Sequence, residues 1–133
     1  KVIVFDWAQA LTFDGNAGPY IQYAFARARK LLVGYADEAL SEEYSPAAEE
    51  LMLCRVMSEF PERAKMAQES HSPNLLANYL YELTRTFTDF YQACPVLKAE
   101  DTERSYRQGL VKAFCAVLAS GCGILGIELP EEM

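Results

Sequence analysis

Ser72-Pro73-Asn74-Leu75-Leu76-Ala77-Asn78-Tyr79-Leu80-Tyr81-Glu82-Leu83, running on through Phe87 and Phe90-Tyr91 to Cys94-Pro95, is the longest periodic stretch of the chain. Leu76, Leu80, Leu83, Phe87 and Cys94 recur at spacings of three, four and seven residues. At 100° per residue such positions share one stripe of a helix. Ser72 stands before a proline, the residue suited to a first helical position, and Pro95 closes the pattern. The stretch predicts a long helix with a single apolar face.

The flanking sequence is punctuated in the same way. Pro61 starts a short helix over Glu62 to Ser70, and Ser45-Pro46 starts the one before it, with Leu51, Met52, Cys54, Val56 and Phe60 as its apolar side. Pro19 opens a helix to about Tyr35 that buries Ile21, Ala24, Phe25, Ala28 and Leu32, with Gly34 as its stop. Before it, Asp6 caps a helical turn over Trp7 to Leu11, and Phe13 to Gly18 form a turn cluster. Downstream, Asp101 caps a final helix that aligns Leu110, Phe114, Val117, Leu118 and Leu125, while Gly121 and Gly123 weaken its last turns. An extended tail follows from Gly126 to Met133. Lys1 to Phe5 is a β-branched run, expected as a strand end from a preceding domain. No second alternating pattern appears, so the expected class is all-α: a bundle of about five helices joined by short proline-initiated turns.

Composition agrees. The 133 residues suit one domain, and 51% hydrophobic residues can supply a core that intrinsic disorder would lack. No uninterrupted apolar run approaches the roughly 18 residues that span a bilayer, so a soluble chain is expected. The start at Lys1, without Met, suggests processing or a fragment of something longer. Cys54, Cys94, Cys115 and Cys122 show no paired Cys-x-x-Cys spacing, and His71 is the sole histidine. Zinc is not expected; buried, reduced thiols in the cytoplasm are.

Charge is concentrated. Residues 36–62 hold eight acids and one base, a balance equal to the −7 of the whole chain. That acidity argues against generic nucleic-acid binding, which leaves a basic footprint. It leaves open recognition of a few unstacked bases by stacking and base-edge hydrogen bonds. Enzyme chemistry finds little to work with. Gly15-Asn16-Ala17-Gly18 follows no convincing strand and reads as turn chemistry. Glu42-Glu43 and Glu49-Glu50 lack the Glu-x-x-His partners of a di-metal bundle and are expected to face solvent.

One helical face stands out. Tyr20, Tyr23, Arg27 and Lys30 lie within about 80° of one another, opposite Ile21, Phe25 and Leu32. Tyrosine rings and guanidinium planes are what unstacked RNA bases stack on. Spacing alone is equally compatible with tyrosines packed on neighbouring helices and an arginine that merely solubilises. Tyr91 flanks the apolar stripe of the long helix and by itself reads as a core-edge residue.

Larger motifs resolve the ambiguity. Phe5-Asp6-Trp7 with Ala10-Leu11, then Asp14-Gly15-Asn16-Ala17-Gly18-Pro19-Tyr20-Ile21-Gln22-Tyr23-Ala24 with Arg27, resembles the entry to the C-terminal anticodon-binding (DALR-type) domain of arginyl-tRNA synthetases. Leu76 to Leu83, Phe90-Tyr91 and Cys94-Pro95-Val96-Leu97 resemble its long helix, and Leu125-Gly126-Ile127-Glu128-Leu129-Pro130 with Glu132-Met133 its tail. The resemblance implies a helical domain over 12–133 that binds the anticodon loop of tRNA(Arg), with 1–11 as the seam to an upstream catalytic domain. It implies that Tyr20, Tyr23, Arg27, Tyr91 and Met133 line the RNA surface, with no catalytic, cofactor or metal residue here. ATP and magnesium would belong to the catalytic domain of the parent arginine–tRNA ligase, since neither a His-x-Gly-His box nor a Lys-Met-Ser-Lys-type loop is present. A cytoplasmic monomer without membrane contact is expected. Glu132 departs from the arginine that often precedes the family's final Met. The competing expectation is a helical protein-interaction module without RNA binding.

Overall fold

The computed structural model describes residues 7–10, 18–36 and 44–130. All regular structure among them is helical: α1 (Trp7–Ala10), α2 (Gly18–Lys30), α3 (Ala48–Ser58), α4 (Phe60–Glu69), α5 (Pro73–Ala93) and α6 (Asp101–Leu125). The four-residue α1 is the addition to the expected count of five. The Lys1 to Phe5 run, the Asp6 cap and residues 11–17 lie outside the described residues, as do residues 37–43 of the acidic stretch and 131–133.

α5 is the centre of the bundle, and its stripe is buried as its spacing predicts: Leu76, Leu80, Leu83 and Phe87 are joined inside by Tyr79, Thr84 and Phe90. Phe87 stacks on Phe114 of α6 with centroids 4.0 Å apart and planes 8° from parallel. Further along, a Cβ at Gly121 would collide with Leu80, so this glycine lets α6 come close to α5. These two contacts make α5 and α6 antiparallel. On the other flank, the Tyr79 hydroxyl donates to the Val56 carbonyl of α3 at 2.9 Å. α2 lies along α6 in the opposite direction: the Gln108 side chain donates to the Leu31 carbonyl and the Gln22 side chain to the Glu128 carbonyl, each at 2.8 Å.

Some local expectations change. α2 stops at Lys30, with Arg27, Arg29 and Lys30 in its last turn where cations suit the helix dipole. The chain then turns through Gly34 at φ +74°. Ser45-Pro46 does not open α3; Ala47 is its N-cap, and the Glu50 carboxylate accepts the Ala47 N–H at 2.7 Å. Glu100, rather than Asp101, stands at the N-cap of α6 without a side-chain cap, and Asp101 instead pairs with Arg104. α6 is long and apolar enough to cross a bilayer, although no uninterrupted run suggests it. Its Leu110, Val111, Phe114, Leu118 and Cys122 are buried within the bundle.

The largest departure is on α3. Leu51 and Met52 are 55% and 49% exposed, whereas Glu50, Leu53 and Val56 are buried. The cause is a network of charges. The Glu50 carboxylate accepts the Tyr44 hydroxyl at 2.8 Å on both oxygens and the Arg107 Nε–H at 2.6 Å. Arg107 also donates to the Pro95 carbonyl at 2.8 Å and pairs with Glu103 at 2.6 Å. A carboxylate with this many partners can occupy a core position that apolar periodicity assigns to leucine. Its demands set the rotation of α3 and turn Leu51 and Met52 outward.

Burial pushes the phenols of Tyr44 and Tyr79 up to about 12, and the thiols of Cys115 and Cys122 up to about 11. The folded chain therefore keeps protons that the unfolded chain releases from about pH 9 upward. The stability these groups contribute is complete below that point and falls as pH rises toward 12. Thermal melts between pH 8 and 12 should show this alkaline decline. A flat profile above pH 9 would contradict the burial of these groups.

Candidate nucleic-acid interface

α2 carries its buried side on Ile21, Ala24, Ala26 and Ala28, so Tyr20, Tyr23 and Arg27 turn toward the edge of α5. Tyr20 is half-buried. Its ring lies 5.7 Å from that of Tyr81, and its hydroxyl is 3.2 Å from Thr88 Oγ1. One turn further on, Arg27 Nη2 donates to the Tyr23 hydroxyl at 2.9 Å. The Arg27 guanidinium also lies over two ring faces, 4.6 Å from the centroid of Tyr23 and 4.9 Å from that of Tyr91. Tyr23 and Tyr91 remain 41% and 37% exposed, enough to offer ring surface to a ligand. Contacts 20–88 and 27–91 show that α2 and α5 run in the same direction.

The electrostatics are simple. Arg27 holds the Tyr23 phenol below its ordinary value, chiefly through the hydrogen bond and then through its charge, with Lys30 adding to the effect. Among the described residues no carboxylate lies within ion-pair distance of Arg27. A cation whose partners among the described residues are π faces and a phenol retains its attraction for phosphate or a base edge.

The structure thus brings Tyr23, Arg27 and Tyr91 into one cluster. Tyr20 is adjacent but is engaged with α5, so the alternative of packing against a neighbouring helix applies to it in part. Tyr91 also has one edge on the core, its ring 6.4 Å from that of Phe87. Met133 lies outside the described residues; of the tail that is described, Ile127 and Leu129 pack on the core, and Gln22 holds the Glu128 carbonyl. Sequence reasoning misses Gln22 and Thr88 as supports of this face. Thr88 could have been found by its place on the α5 stripe that runs through Tyr81 and Tyr91; Gln22 offers no comparable signal. No three His, Cys, Asp or Glu side chains among the described residues converge as metal ligands.

Residues 21–133 match the model of the DALR anticodon binding domain family. The whole chain aligns with the arginine–tRNA ligase of Thermococcus sibiricus at 39% identity, covering 22% of that protein. It aligns with that of Clostridium botulinum strain Alaska E43 at 35%, covering 24%. In structure, 97% of the chain superposes on 23% of the Thermus thermophilus arginyl-tRNA synthetase, with a TM-score of 0.89 and 34% identity. The Plasmodium falciparum enzyme gives 0.83 at 26% identity. The chain spans less than a quarter of the length of each of these relatives. None of them supports the protein-docking alternative.

Proposed function

The chain belongs to the DALR anticodon binding domain family, and from that premise we propose that its Tyr23–Arg27–Tyr91 face receives the anticodon loop of tRNA(Arg). The observation that carries this reading is the guanidinium lying over two half-exposed tyrosine rings. Ring faces stack on unstacked bases, and Arg27 supplies a positive group for phosphate or a base edge. Tyr20 acts beside them by fixing α2 on α5, and Met133 adds an apolar side chain from the tail. Bulk charge contributes little in a chain of net charge −7, so specificity comes from shape and stacking.

On this reading residues 12–133 are the RNA-positioning domain of a longer arginine–tRNA ligase, and 1–11 form its seam with a catalytic domain. ATP and magnesium serve that other part, and the enzyme works as a monomer in the cytoplasm, away from membranes. The test is direct binding of the full chain to two RNA hairpins, one with the anticodon loop of tRNA(Arg) and one with that loop replaced. The first should bind at least about tenfold more tightly. Equal binding to both, or binding to neither, would refute the assignment.

A further inference from the structure

Arg27 covers part of the ring surface on which the proposed function depends. Its guanidinium is a flat cation, it covers both Tyr23 and Tyr91, and a hydrogen bond to the Tyr23 hydroxyl holds it there. The rings are exposed at 41% and 37% even with this cover in place. No acidic side chain among the described residues competes for the guanidinium, so the rings are what retain it. A planar base and a planar guanidinium use the same ring surface, and both cannot lie on one face at once.

Building on the anticodon-loop reading, we propose that Arg27 is a place-holder: its guanidinium covers the tyrosine faces in the RNA-free protein and gives them up to an incoming base, moving to phosphate. The exchange loses cation–π contacts and gains base stacking together with a charge-assisted bond. A ligand with a base but no phosphate gains only the stacking, and must displace the guanidinium without giving it a new partner. An RNA loop supplies both. The face therefore discriminates against free nucleosides while accepting polynucleotide.

This predicts opposite signs for two probes on one variant. In the full chain, Arg27→Ala should bind an uncharged nucleoside (cytidine or adenosine, followed through the Tyr91 ring resonances) about threefold or more tightly than the unaltered protein, the scale of an exposed cation–π contact. The same variant should bind the anticodon-loop hairpin about tenfold more weakly. Arg27→Lys, which keeps the charge but lacks the flat group, should bind nucleoside better than the unaltered protein and hairpin better than Arg27→Ala. Equal nucleoside affinity in the unaltered protein and Arg27→Ala, weaker affinity in the variant, or none in either, overturns the place-holder. The anticodon reading would survive those results so long as the unaltered chain prefers its cognate hairpin. Loss of that preference refutes both.

Discussion

Glu50→Ala should lower the stability of the fold by about 3–5 kcal/mol, the cost of stranding a buried charge. Arg107 is only 8% exposed at its side chain, and Glu50 is fully buried. Removing the carboxylate leaves the guanidinium with the half-exposed Glu103 and the Pro95 carbonyl, frees the Tyr44 hydroxyl, and takes away the acceptor of the Ala47 N–H. For a domain of this size the melting temperature should fall by roughly 10–20 °C. Combining Glu50→Leu with Arg107→Met should recover much of the loss, because no buried charge is then left alone. A melting curve for Glu50→Ala that overlays the original would mean that the network adds nothing to stability.

Tyr91→Ala is expected to act on function instead. A base–aromatic stack is worth about 1–3 kcal/mol. In a complete arginine–tRNA ligase carrying this domain, use of tRNA should weaken by roughly one to two powers of ten, with arginine and ATP affinities nearly unchanged. Tyr91 has one edge near Phe87, so a small loss of stability is also expected, and helicity and melting temperature must be measured beside the kinetics. A variant that folds normally and charges tRNA at the original rate would make Tyr91 a core-edge residue only.

How far the sequence could be read depended on which force set each helix. α5 is fixed by apolar burial, so its stripe was plain: Leu76, Leu80, Leu83 and Phe87 are all inside. α3 is rotated by a carboxylate whose partners include Arg107, 57 positions away, and apolar periodicity cannot register such a partner. For that reason apolar spacing places Leu51 and Met52 inside, although both are exposed, and gives no sign that Glu50 is buried. At the candidate site, helix phase brought Tyr20, Tyr23 and Arg27 to one face. It could not separate the tyrosine that packs from the one that stays open, because Thr88 and Tyr81 belong to another helix. Tyr91 joined the set through motif likeness, since nothing on α2 indicates which helix will lie beside it.

The way α2 is attached has a consequence in time. Its ties to the bundle link residues 68, 77 and 106 positions apart, whereas α3, α4 and α5 follow one another directly. Closing such long loops costs chain entropy before any contact repays it. α2 also offers little in return: Ile21 is the one large side chain it buries fully, the other three fully buried residues are alanines, and Phe25 is only partly buried against the core. During folding α3 to α5 should therefore condense first and α2 dock last, and in the finished protein α2 should be the long helix that opens most readily. Its backbone amides should exchange with deuterated solvent before those of α5. The face proposed for stacking, shared between these two helices, then exists only for as long as α2 stays docked.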